Sequence, residues 1–190
     1  MTDSWLITGG GRSGKSSFAE KLAMEKSERG RSGVLYIATG VATDDEMAER
    51  IARHQAKRPA NWITWERYRG LADIENSFNN DEFGAILLDC MAGLLMGILF
   101  EEAPDADNCT SGQFERVESL SISELDALFS YSKAHGKNLI LVTNEVGMGI
   151  IPGTRYSRYY RDALGRINMH AVRNAENVVM MVAGIPLTLK

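Results

Sequence analysis

Apolar residues along the chain collect in short, nearly unbroken runs at 5–8, 34–39, 85–89, 139–143 and 178–183. A strand with one wet face alternates apolar and polar positions, whereas an unbroken run marks a strand buried on both faces. Helical spacing separates these runs, near 16–29, 43–57, 91–100, 113–135 and 155–175. Strands alternating with helices imply right-handed crossovers and a mainly parallel sheet covered by helices on both sides. Pro186 follows the turn residue Gly184, and 186–190 reads as a short antiparallel edge strand. The expected architecture is therefore a three-layer α/β fold in one domain over 1–190. No repeat, low-complexity tract or dividing linker interrupts it.

The 43–57 stretch has the most explicit helix signals. Thr43, Asp44, Asp45 and Glu46 form a capping box at its start. Glu46 with Arg50, and Glu49 with Arg53, are spaced as ion pairs on the wet side. Met47, Ile51 and His54 fall on a different stripe. In the last helix, Asp162 and Arg166 have the same pairing interval, and Arg155, Arg158, Arg161 and Arg166 read mostly as a solvated face, with one or two placed to reach phosphates from the side of the 147–149 loop. The longest apolar run, 91–100, is too short to cross a bilayer. The acidic stretch 101–108 reads as a solvated connection, and the methionines, Met148 included, as core or gap-filling residues.

Charge narrows the partners. Lys plus Arg is 21 against 25 for Asp plus Glu, a net charge of −4. A protein that coats nucleic acid usually shows a basic stripe and a high pI, so no nucleic-acid partner is expected. The first residues lack a basic segment followed by an apolar run, so no signal peptide is expected. Cys90 and Cys109 are too far apart for a metal knuckle or a disulfide scaffold, which fits a reducing cytoplasm.

The chemistry begins where the first run ends. Gly9, Gly10, Gly11, Arg12, Ser13, Gly14, Lys15 and Ser16 spell the phosphate-binding loop pattern, with a strand before and a helix after. Its glycines let backbone N–H groups converge on a polyphosphate, and the following helix aims its positive dipole end at the same anion. Lys15 supplies a charge for the β- and γ-phosphates, and Ser16 a hydroxyl ligand for Mg²⁺. The fold class expected is thus that of the phosphate-loop NTPases. Ligands bind such sheets at the carboxyl ends of the strands. Those ends carry Thr39 with Gly40, Asp89, and the polar, glycine-rich 143–149. Asp89 after four apolar residues suits a carboxylate in the magnesium shell; it also suits a cap for the helix starting near Met91.

His54 has two readings. On its stripe it suits a packed core histidine. Lys57, Arg58 and Pro59 follow it, however, and a histidine beside cations near a nucleotide is placed to meet a phosphate. Neutral imidazole is a competent nucleophile at phosphorus, and a nearby cation keeps it neutral. His135, at a helix end before Gly136, and His170 read as structural or surface residues.

Thr8 to Ser16, Tyr36 to Thr39, and Asp44 to Met47 with Arg50, Ile51 and His54 form one ordered set of segments. Arg58 with Pro59, Trp62 and Glu66, Leu87 to Cys90, Thr143 to Pro152, and Arg161, Asp162, Gly165, Arg166 and Asn168 continue it. Together they resemble the bifunctional adenosylcobinamide kinase / adenosylcobinamide-phosphate guanylyltransferase family of cobalamin synthesis. The resemblance implies two reactions. Adenosylcobinamide is phosphorylated on its aminopropanol hydroxyl by a nucleoside triphosphate, ATP or GTP. A histidine, here His54, then takes GMP from GTP with loss of pyrophosphate and passes it to adenosylcobinamide phosphate. The implied nucleotide contacts are residues 9–16, Thr39, Arg58, Glu66 and Asp89, with Lys15 and His54 catalytic and Mg²⁺ on Ser16 and Asp89. The resemblance also implies a homo-oligomer, a trimer among the candidate states, with 91–100 either an apolar subunit contact or a buried helix. The chain departs from the family pattern at Met169, in 101–112, and at Asp89, where glutamate is common. A single-activity small-molecule kinase with a structural His54 is the alternative.

Overall fold

The computed structural model describes residues 2–28, 33–40, 59, 61–105 and 108–190. Seven strands form one sheet: β1 (Ser4–Gly9), β2 (Gly33–Ala38), β3 (Ile63–Glu66), β4 (Phe83–Asp89), β5 (Asn138–Val142), β6 (Asn177–Val182) and β7 (Ile185–Thr188). Their order is β3-β2-β4-β5-β1-β6-β7. Every neighbouring pair is parallel except β6 with β7, the expected antiparallel edge.

Adjacent residues of the apolar runs serve opposite faces. Leu6, Leu35, Ile37, Ile86 and Leu88 pack into one core cluster, while Ile7, Val34, Tyr36, Ala85 and Leu87 pack into the other. A strand covered on both sides has no wet face, and that is why its run is unbroken. Helix α1 (Lys15–Glu28) covers one face through Ala19, Leu22 and Ala23. A helical turn, α2 (Ile74–Ser77), precedes β4. Helices α3 (Met91–Glu102), α4 (Ser111–His135) and α5 (Arg155–Asn174) cover the opposite face. Thr110 and Gln113 form a reciprocal capping box at the start of α4, and Gly136 closes that helix in the left-handed conformation at φ 64°.

Several expectations are corrected. Of the two readings of 91–100, the buried helix is seen for Leu94, Leu95, Ile98 and Leu99, which lie in this chain's own core, while Phe100 is exposed. The acidic stretch is not all a solvated connection, because Glu101 and Glu102 end α3 and hold arginines. Arg166 reaches Glu118 on α4, and Asp162 pairs with Arg161, so the interval expected for an ion pair is not used as one. Met91 and Met181 are core residues as expected, but Met148 and Met169 are exposed. His135 bridges Asn80 and Glu75, and His170 meets Asp126, structural roles as expected. The helix expected over 43–57, with its capping box and ion pairs, lies outside the described residues.

Tyr68 shows how closely the layers approach. Its ring lies against the backbone of Gly97, where a Cβ would come within 2.5 Å of the ring. Its hydroxyl donates to Glu101 one turn further along α3. This contact fixes the segment leaving β3 against the helix face.

Candidate active site

The connection leaving β1 runs through α1 on one face. The crossover from β5 to β6, which passes over β1, runs through α5 on the other. The carboxyl end of β1 is therefore a switch point, where a parallel sheet opens a crevice for a ligand. The glycine-rich loop sits there. Gly9 has φ +146°, and a Cβ there would fall 2.5 Å from the Met181 carbonyl oxygen. Only glycine suits that combination. Arg12 and Gly14 also have positive φ, 57° and 94°. The loop is tied from outside by Gly184, whose N–H donates to Ser13 O at 2.9 Å, and from inside by Phe18 N–H to Gly14 O at 3.0 Å.

Lys15 opens α1, and only 7% of it is exposed. Its ammonium folds back and donates to Gly10 O at 2.6 Å. A buried lysine needs an oxygen partner, and here a loop carbonyl provides it. Ser13 Oγ is buried and has no hydrogen-bond partner among the described residues. Ser16, the second residue of α1, is half-buried.

Asp89 ends β4, one strand removed from β1. Its Oδ2 accepts from the Tyr36 hydroxyl at 2.9 Å. It is not the cap of α3: that position is Cys90, and no side chain closes it. Burial first, and then the charge of Asp89, push the Cys90 thiol up to about 11, while the charge of Lys15 pulls the other way. The carboxylate and the ammonium thus both act on the same small region. Thr39 staples the end of β2 to this corner. Its hydroxyl donates to Cys90 O at 2.6 Å and accepts from Cys90 N–H at 2.8 Å.

Glu66 lies at the end of β3, on an open cavity of about 410 Å³ lined also by Arg67, Tyr68, Arg69, Glu101 and the stretch around Ala38 and Gly40. Arg69 donates to Glu101 at 2.6 Å and pairs with Glu102 at 2.9 Å. The Tyr68 hydroxyl and this arginine hold the Glu101 carboxyl below its usual range. Arg116 and Arg69 do the same for Glu102.

Beyond β5 the chain forms a loop at the same rim. Glu145 N–H donates to Gly9 O at 3.0 Å, joining it to the glycine-rich loop. Thr143 and the backbone of Asn144 are held by the Asn168 side chain of α5, at 2.6 and 3.1 Å. Arg158 donates to the carbonyls of Pro152 and Gly153 at 2.9 and 2.8 Å.

Residues 5–189 match the family model described as cobinamide kinase / cobinamide phosphate guanyltransferase. The chain belongs to this family. Two similar proteins are each named "Bifunctional adenosylcobalamin biosynthesis protein CobU", from Escherichia coli and Salmonella typhimurium. Each is 38% identical over 186 residues, covering 97% of this chain and 98% of the relative. A relative from Pseudomonas aeruginosa, named "Bifunctional adenosylcobalamin biosynthesis protein CobP", is also 38% identical, covering 97% of this chain and 96% of its own length. Among solved structures, the flagellar accessory protein FlaH from Methanocaldococcus jannaschii aligns with a TM-score of 0.46 at 16% identity, over 99% of this chain and 78% of that one. A KaiC-like protein from Pyrococcus horikoshii aligns with a TM-score of 0.48 at 12% identity, over 94% and 70%.

In this member of the cobinamide kinase family, the loop 9–16, Thr39 and Asp89 come together at the carboxyl end of the sheet, with Glu66 on the cavity at the β3 edge. His54 and Arg58 lie outside the described residues. Sequence reasoning did not foresee Tyr36 as the partner of Asp89, nor the cluster of Tyr68, Arg69 and Glu101. Tyr36 sits inside an apolar strand, and nothing in its spacing announces a hydroxyl aimed at a carboxylate 53 residues away in sequence. Arg158 was read as part of a solvated face; its role in holding the loop depends on where the chain folds back.

Proposed function

We propose that this chain is a bifunctional enzyme of cobalamin synthesis, with one catalytic domain over 1–190, working at the rim around Lys15. The observation that carries the reading is the glycine-rich loop, seated at the sheet's switch point in a chain whose family match runs from residue 5 to 189. In the first reaction the aminopropanol hydroxyl oxygen of adenosylcobinamide attacks the γ-phosphorus of ATP or GTP. The bond from that phosphorus to the bridging oxygen breaks, the nucleoside diphosphate leaves, and the hydroxyl proton passes to solvent. Backbone N–H groups of residues 9–14 hold the phosphates, and Lys15 exchanges its Gly10 carbonyl for phosphate oxygen, offsetting charge on the departing group.

In the second reaction the His54 imidazole attacks the α-phosphorus of GTP and pyrophosphate leaves. A phosphate oxygen of adenosylcobinamide phosphate then displaces the imidazole, giving adenosylcobinamide-GDP and restoring neutral His54. Arg58 and Glu66 contact the guanine nucleotide. Ser16 and Asp89 offer hard oxygen donors of the kind magnesium takes, and that ion supplies charge neutralisation on the phosphates when bound. Tyr36 orients the Asp89 carboxylate, and Thr39 fixes the corner that carries it. We further read the protein as a cytoplasmic homo-oligomer, a trimer among its candidate states; no helix of the described residues is long and apolar enough to cross a membrane.

Chromatographic assay of adenosylcobinamide with ATP or GTP tests this reading. It predicts adenosylcobinamide phosphate first and adenosylcobinamide-GDP once GTP is supplied. A protein that formed the phosphate and never the GDP conjugate would be the plain kinase.

A further inference from the structure

The loop between β5 and α5 carries an exposed apolar tip. Met148 is 77% exposed, Ile150 96% and Ile151 71%, with Val146 exposed beside them. Single apolar residues scattered on a surface are ordinary, but a contiguous group marks an interaction surface. This loop is held at both ends by polar contacts: Asn168 at Thr143 and Asn144, the Glu145 carboxylate on Gly147 N–H at 2.6 Å, and Arg158 on the carbonyls before α5. The chain thus fixes the backbone while leaving the apolar side chains in water. Its base is bonded to the glycine-rich loop through Glu145 and Gly9.

We propose that Met148, Ile150 and Ile151 form the surface on which the corrin ring of the cobinamide substrate rests during phosphoryl transfer, an inference that depends on the function proposed above. The substrate is a large macrocycle whose rim carries methyl groups as well as amide side chains, and its reacting hydroxyl sits at the end of one such arm. For that hydroxyl to meet a phosphate in the glycine-rich loop, the ring must lie against the protein surface next to that loop. The apolar tip follows shortly after Glu145, whose N–H is bonded to Gly9 at the start of that loop. Methionine and isoleucine give polarisable, shape-tolerant contact to the methyl-bearing parts of the ring, while the polar groups at the rim meet its amides and aim the arm. A second copy of this chain is the other occupant such a surface would take, and the test separates the two.

The experiment uses the full chain, comparing wild type with Met148→Gln/Ile150→Gln, with Ile151→Gln, and with Leu189→Gln. Leu189 is an equally apolar control, 62% exposed and bonded beside Val178 at the opposite end of β6. Steady-state phosphorylation is measured with adenosylcobinamide varied and nucleotide saturating, alongside nucleotide affinity and solution mass by light scattering. The double variant is expected to raise KM for adenosylcobinamide about tenfold or more, the loss that follows from removing one or two buried apolar contacts. Ile151→Gln should raise it less, with kcat, nucleotide affinity and mass unchanged throughout and Leu189→Gln like wild type. An unchanged KM in active variants, or a KM change that accompanies a change in mass, overturns this inference alone. A wild-type protein that does not turn over adenosylcobinamide overturns it together with the function it depends on.

Discussion

Lys15 illustrates how a buried charge is satisfied by the loop that carries it. An ammonium removed from water costs free energy unless an oxygen receives it. Here the Gly10 carbonyl, part of the loop itself, does so at 2.6 Å. On the function proposed above, a polyphosphate would replace that neutral acceptor with a charged one in the same low-dielectric pocket, where charge-assisted bonds are stronger. Lys15→Ala should therefore lower kcat/KM for both reactions by roughly a hundredfold or more, with nucleotide affinity falling alongside. Steady-state assays of each reaction and equilibrium nucleotide titration check it. At the same scale, Glu101 and Glu102 have folded-state pKa values held below the usual glutamate range by their tyrosine and arginine partners. Their contribution to stability is complete above the ordinary glutamate pKa and is lost as pH falls through the lowered values. Acid unfolding of Glu101→Gln should begin from a lower plateau and show a shallower decline over that window than wild type; parallel curves would remove Glu101 from the account.

At the scale of elements, the approach of Tyr68 to Gly97 joins the β3 edge to α3. Adding one methyl group there forces the ring or the helix to move. Gly97→Ala should destabilise the protein by about 1–3 kcal/mol, which for a chain of this size lowers Tm by several degrees. Thermal or urea unfolding measures it, and a Tm equal to wild type would mean the ring swings aside freely. The same element shows where sequence reading stops. The five strands buried on both faces were legible because their runs are unbroken. β3 was not, since its four residues alternate half-buried with exposed positions and leave no apolar run. The α3 segment was legible as a helix, but burial against subunit contact could not be separated by composition, because both call for leucine and isoleucine. Its packing beneath α4 and α5 shows the burial of Leu94, Leu95, Ile98 and Leu99.

The whole molecule places its chemistry by topology. α1, which follows the central strand, and α5, whose crossover passes over it, lie on opposite faces of the sheet, and the opening between them receives the glycine-rich loop, the Asp89 corner and the loop held by Asn168. The positions of the glycine-rich loop and of Asp89 at strand ends could be read from the sequence because strand-end motifs are local. The tie from Gly184 to Ser13, the staple of Thr39 on Cys90 and the hydroxyl of Tyr36 on Asp89 could not, since each joins residues far apart in the chain. The central claim is that one rim serves both γ-phosphoryl and guanylyl transfer, the second through covalent His54. Incubation with GTP labelled at the α-phosphate tests it most directly. The account predicts a protein-bound label that acid removes, that adenosylcobinamide phosphate discharges into adenosylcobinamide-GDP, and that His54→Ala abolishes while phosphorylation of adenosylcobinamide continues. A folded His54→Ala protein that still takes up the label and transfers it at the wild-type rate would contradict it.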